Sequence, residues 1–130
     1  MNRIILDTNA LSVFFRGRNL KIQEFIKKAD LMVISPIVLG EVLTGFRLGT
    51  KEEANRKLLK NFLAEGITEI FDISYQTAEI YSRIKVLLRN KGKMVPTNDI
   101  WIAAQAIETK SILVSLDSHF RHISDLPLWE

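Results

Sequence analysis

The 130-residue chain has no cysteine, only three prolines, and no apolar run long enough to cross a membrane. Without cysteine there is neither a disulfide framework nor a thiolate zinc centre, and the absence agrees with a reducing cytoplasm. A membrane helix needs about 18 consecutive apolar residues, and none is present. The opening MNRIILDTNAL is too short in its apolar run for a signal peptide and carries Asp7 inside it. A strong charge bias is also missing. The net charge is +3 and the pI about 9.3, which permits contact with nucleic acid without demanding it. The sequence therefore reads as soluble and cytoplasmic, with no membrane association.

What is present is ordinary globular composition, 47% apolar and 25% charged, which argues against disorder. The length fits one domain, residues 1–130, with a core that needs no staples. Ile4-Ile5-Leu6 is a short apolar run ending at Asp7, the pattern of a central parallel strand. Leu31 to Ile34, Thr68 to Ile73 and Ser111 to Leu116 are predicted as three more strands, and Ile123 to Trp129 as a weak edge strand. Helices are predicted between them: Asn9 to Phe15, Leu20 to Ala29, Pro36 to Leu48, Lys51 to Leu63 and a long one after Ser74. The last begins at Pro96-Thr97. Ser35 with Pro36 gives a helix start, and Gly49 a stop. Strands alternating with helices imply right-handed βαβ units, hence an α/β domain with a central parallel β-sheet flanked by α-helices.

Function in such sheets gathers at the carboxyl ends of the strands. Asp7 and Asp117 end the first and fourth strands. Asp99, in PTNDIWIAAQA, lies in the first turn of a helix and shares its apolar face with Ile102, Ala103 and Ala106. Glu41 lies about two turns into its helix, on a face with Ile37, Val38 and Leu48, and Gly45 leaves it unshielded one turn later. Each acid has a bland reading: a turn residue, an N-cap, or a dipole contact of about 0.3–1 kcal/mol. Asp72, two residues before the Ser74 helix start, is read that way. Together the other four can converge on one edge. Several carboxylates cannot stay ionised at close range without a cation, and no lysine or arginine is obviously placed among them. An all-oxygen set suits Mg²⁺ or Mn²⁺ rather than zinc. Such ions can activate a water and stabilise the leaving oxygen of a phosphodiester, so a metal-dependent nuclease is the reading these residues favour.

The motifs ILDTNAL, SPIVLGEVLTGF, TNDIWIAAQA and LVSLDSHF, in that order over nearly the whole chain, resemble the PIN-domain family, most closely the VapC-type ribonuclease toxins. The resemblance implies a PIN-like fold and a Mg²⁺- or Mn²⁺-dependent endoribonuclease. By motif position, Asp7, Glu41 and Asp99 would be the core acids and Asp117 the fourth. Thr8, Asn9, Asn98 and Ser115 would support them; Ser115 stands where the family frequently has threonine. The resemblance also implies an RNA substrate, an antitoxin partner inserting near the acidic groove, and a homodimer.

Arg16, Arg18 and Arg121 are the candidates for RNA backbone contacts, since guanidinium groups suit phosphates. His119 and His122 are read as surface residues. Phe14, Phe15 and Phe46 fall where a partner groove could form, but an ordinary core explains them at least as well. Trp101 and Trp129 are read as packing residues. Two other readings compete with the nuclease. One is a catalytically silent PIN-like module that binds RNA or protein. The other is a haloacid dehalogenase-type phosphatase, which needs a second aspartate where Asn9 stands and a lysine that the sequence does not supply.

Overall fold

The computed structural model of the chain describes residues 2–129; the terminal positions 1 and 130 of the expected domain lie outside that range. Its centre is β1 (Arg3–Leu6), whose Ile4, Ile5 and Leu6 are all buried because helices cover both faces of the sheet. On one side β1 pairs with β2 (Leu31–Ile34), and β2 with β3 (Thr68–Ile70); on the other it pairs with β4 (Ile112–Val114). All three pairings are parallel, and the order is β3-β2-β1-β4. The register sets Ile5 opposite both Val33 and Leu113.

Six helices connect these strands: α1 (Thr8–Arg16), α2 (Leu20–Lys27), α3 (Pro36–Leu48), α4 (Glu52–Ala64), α5 (Tyr75–Lys91) and α6 (Thr97–Thr109). Local chemistry fixes their starts. Asp7 accepts from the Ala10 amide, Asn19 from that of Ile22 and Ser35 from that of Ile37. Ser74 and Thr77 form a reciprocal capping box at α5. α5 stops at Gly92, which turns the chain through φ +67°, a value that glycine reaches without steric cost. α6 is apolar nearly all round, with Ile100, Ile102, Ala103, Ala104 and Ala106 buried. It packs on β1, β4 and α5, and Gln105 Nε2 donates to the Phe71 carbonyl at 2.7 Å.

The topology creates one switch point. From β1 the chain moves outward through β2 and β3, then returns to place β4 on the opposite flank of β1. The crevice outside the carboxyl ends of β1 and β4 is where a ligand site is expected in such a sheet. The Asp7 amide donates to the Val114 carbonyl there, at 3.3 Å.

Several expected elements are shorter than the apolar runs that announced them. β3 ends at Ile70, after which Asp72 and Ile73 are exposed. β4 ends at Val114 because the chain turns at Ser115, whose hydroxyl accepts the Asp117 amide. The expected edge strand reduces to a single bridge, Leu128 beside Leu113. Leu48, read on an apolar face of its helix, is 85% exposed. Asp72 makes no hydrogen bond among the described residues; Ser74 supplies the cap assigned to it.

Candidate active site

Asp7 is the anchor. It is buried at the end of β1, and both carboxylate oxygens are held: Oδ1 by the Ala10 amide at 2.9 Å and Oδ2 by the Ser115 hydroxyl at 2.5 Å. Burial pushes its pKa above the ordinary carboxylate value. The two hydrogen bonds oppose that shift, the charge of Asp117 adds to it, and His119 offsets it further.

Asp99 is the third residue of α6, half-buried, and caps nothing; the helix starts at Pro96 without a side-chain cap. Its pKa is also raised, again chiefly by burial, with Asp7 and Glu41 adding repulsion and His119 pulling the other way. Glu41 is exposed, as is Gly45 one turn later; of the residues read on its face, Val38 is buried, Ile37 partly buried and Leu48 exposed. Glu41 Oε1 accepts from the Thr8 hydroxyl at 2.6 Å, tying α3 to the start of α1. Beside it a groove of about 540 Å³ runs between Ile37, Gly40, Thr44 and Asn98. Asp117 precedes a short 3₁₀ turn (Ser118–His122) and is exposed. Four acids from four separated segments are thus linked in an electrostatic chain, Glu41 and Asp7 each acting on Asp99 and Asp117 acting on Asp7.

The residue that sequence reasoning misjudged is His119. Rather than lying free on the surface, its ring sits between two acids, Nε2 2.9 Å from Asp99 Oδ2 and Nδ1 3.0 Å from Asp117 Oδ1. Despite that short contact, the buried Nε2 has no hydrogen-bond acceptor in good alignment among the described residues. The ring leans on Phe120, with centroids 4.7 Å apart, and Phe120 is fully buried. The signal was available in SHF: a buried phenylalanine just after the histidine fixes which way the imidazole points. His122 is peripheral; its carbonyl accepts from Lys91 Nζ at 3.1 Å.

Of the expected supporting residues, Thr8 and Ser115 hydrogen-bond to the acids, whereas Asn9 and Asn98 are exposed and make no side-chain hydrogen bond among the described residues. Arg16 ends α1, the helix that Asp7 begins; nine residues at about 1.5 Å each put it some 13 Å away. Arg18 lies beyond it. Arg121 is exposed in the same turn as His119. Trp101 stacks on Tyr81 at 4.1 Å, and Trp129 lies against Phe25. Phe14 and Phe15 meet Phe62, and a groove of about 510 Å³ is lined by Phe15, Phe46, Leu58, Leu59 and Phe62.

The donor set is chemically suited to a hard divalent cation: carboxylate oxygens, two of them on acids whose burial already disfavours an uncompensated charge. Neither lysine nor arginine reaches these acids among the described residues. No three acidic or histidine side chains among those residues form a finished coordination set.

Comparison with known proteins agrees with this fold. A family model described as PIN domain matches residues 4–126. Ribonuclease VapC2 of Rickettsia felis is 33% identical over 106 residues, covering 81% of this chain and 78% of that protein. Ribonuclease VapC2 of Haemophilus influenzae is 33% identical over 116 residues, covering 88% and 86%. Among solved structures, VapBC2 from Rickettsia felis bound to a DNA fragment from its promoter superposes with a TM-score of 0.85 at 28% identity, covering 98% of this chain and 99% of that one. DNA-bound VapBC from Salmonella typhimurium gives 0.87 at 26% identity, covering 99% and 98%.

Proposed function

We propose a mechanism from one premise: the chain belongs to the PIN-domain family and, within it, to the VapC ribonucleases. The reading is that Asp7, Glu41, Asp99 and Asp117 form the site at which this ribonuclease toxin of a type II toxin–antitoxin system hydrolyses RNA phosphodiester bonds. One observation carries it: at the carboxyl edge of the sheet burial raises the pKa of both Asp7 and Asp99, with Asp117 adding to the shift of Asp7 and with Asp7 and Glu41 adding to that of Asp99. Bound Mg²⁺ or Mn²⁺ would supply charge neutralisation and activation of water for attack on phosphorus. The chain's own residues do the rest. Ser115 and the Ala10 amide hold Asp7 in one orientation, leaving lone pairs on each oxygen for a cation. Thr8 fixes Glu41 at the mouth of the groove, and α6 holds Asp99 against the sheet.

The same reading includes an antitoxin, for which the Phe15–Phe46–Phe62 groove offers an apolar seat, a homodimer, and a cytoplasmic setting where the RNA substrate lies. Among the described residues no helix is long and apolar enough to cross a membrane. The haloacid dehalogenase-type reading lapses with the family assignment, and its second carboxylate is Asn9 here.

The test is incubation of purified chain, freed of any partner, with total RNA, with and without Mg²⁺ or Mn²⁺, beside Asp7→Asn and Asp99→Asn. Cleavage is expected only with metal and only in the unsubstituted chain. Cleavage that persists in EDTA, or equally in both variants, would sink the reading.

A further inference from the structure

We infer that the basic end of α5 and the loop after it form a binding track for the phosphate backbone of single-stranded RNA, leading it to Asp99. This rests on the nuclease reading and adds to it where the substrate lies. From Ile80 to Asn98 the chain carries five basic residues, Arg83, Lys85, Arg89, Lys91 and Lys93, and no acid; the next residue is Asp99 itself.

These cations are not equivalent. Lys91 is used internally, donating to the His122 carbonyl and the Ser124 hydroxyl. Lys85, Arg89 and Lys93 are exposed, and their side chains make no hydrogen bond or ion pair among the described residues. All three line one concavity of about 260 Å³ with Met94, Val95 and Ile100, and Ile100 is bonded directly to Asp99. Among the described residues no acid lines that concavity.

A merely solvated helix face does not account for this. On α4 a basic residue is matched one turn away by an acid, Arg56 with Glu52 at 2.9 Å. On α5, Lys85 and Arg89 are four apart, the spacing at which like charges repel. The helix dipole favours cations only in the last turn, which explains Arg89 but not Lys85 or Lys93. The unmatched charge fits an anion supplied from outside. A polyanion already engaged at Asp99 has its next phosphates within this rim, and Arg89 offers them a planar fork. Met94, in the lining of the same concavity, is 93% exposed and offers an apolar, adaptable surface to a base.

The experiment compares full-length proteins in EDTA, binding a fluorescein-labelled single-stranded RNA of mixed sequence across 50 to 300 mM KCl. The variants are Lys85→Gln/Arg89→Gln/Lys93→Gln and a matched surface triple, Lys28→Gln/Lys57→Gln/Lys60→Gln. The first is expected to lose about tenfold in affinity, with a log–log salt slope shallower by about 2, since each phosphate contact with a single strand contributes about 0.7. The matched triple should leave the slope nearly unchanged. Equal slopes in the two triples would overturn the track, as would loss of a protein partner with RNA affinity intact. If the unsubstituted chain neither binds nor cuts RNA, both this inference and the nuclease reading fail; if it cuts normally and the first triple keeps its slope, only the track fails.

Discussion

The Ser115 hydroxyl donates to Asp7 Oδ2 at 2.5 Å, linking the end of β4 to the end of β1. The same oxygen accepts the Asp117 amide at 3.0 Å, so one side chain orders two of the four acids. Ser115→Ala should cost about 1.5–3 kcal/mol in urea unfolding, because a buried carboxylate loses a charge-assisted bond. Cleavage should fall by roughly tenfold to a hundredfold, the usual effect of removing a residue that orients a metal ligand. Ser115→Thr keeps the hydroxyl and should keep both properties. An alanine variant that cuts RNA at the unsubstituted rate would remove Ser115 from the site.

Asp7 makes the protein's stability depend on pH in an unusual sense. Its folded pKa is raised above the ordinary 3.8 by burial, so the folded state holds the proton more tightly than the unfolded chain. The stabilisation it gives is fully present below 3.8 and is lost as pH rises through the folded value. Asp99 acts in the same direction. In metal-free protein, Asp7→Asn should therefore gain stability relative to the unsubstituted chain as pH rises through that window, then hold a constant advantage. Adding Mg²⁺ at neutral pH should raise the Tm of the unsubstituted chain and leave the variant nearly unmoved. Thermal melts at a series of pH values with EDTA, repeated with Mg²⁺, check both halves.

His119 touches the carboxylates that a cation would use. Its Nε2 lies 2.9 Å from Asp99 and its Nδ1 3.0 Å from Asp117, so an ion entering between them must displace the ring. His119→Ala should tighten Mg²⁺ binding by about two- to fivefold, the equivalent of about 0.5–1 kcal/mol for a partly exposed ion pair. Isothermal titration of the full chain measures it. Weaker binding in the variant would mean that the imidazole supports the metal rather than opposing it.

The fold was largely legible in the sequence because its signals are local. Ser35-Pro36 starts α3, Ser74 caps α5, and the run Ile4–Leu6 can be satisfied only in the middle of a sheet. The acids were legible because charge at the end of an apolar run is costly and must have a reason. Less legible were the features decided by neighbours distant in sequence. Glu41 was grouped with Ile37, Val38 and Leu48 as one face, yet Val38 is buried while Glu41 and Leu48 are exposed. β4 was read as Ser111 to Leu116 but spans only Ile112–Val114, since nothing local says that Ser115 turns away to meet Asp7. His119 was set aside because a histidine in a loop is usually solvated; only the burial of Phe120 aims it inward.

The last prediction concerns how Asp99 is aimed. Ala103 is fully buried one turn after it, in the helix that packs on α5 and on the sheet. Ala103→Leu adds three carbons where there is no room, at a cost of about 1–3 kcal/mol, and must lift or rotate the helix start. A displacement of about 1 Å in a reacting geometry can cost a hundredfold, so cleavage should fall by roughly tenfold to a hundredfold even where the variant is fully folded. Ala78→Leu, on the exposed side of α5, is the control and should change neither stability nor rate appreciably. Measuring the cleavage rate of Ala103→Leu well below its own melting temperature separates the two effects. If it is destabilised yet cuts RNA at the unsubstituted rate, the packing of α6 does not set the position of Asp99.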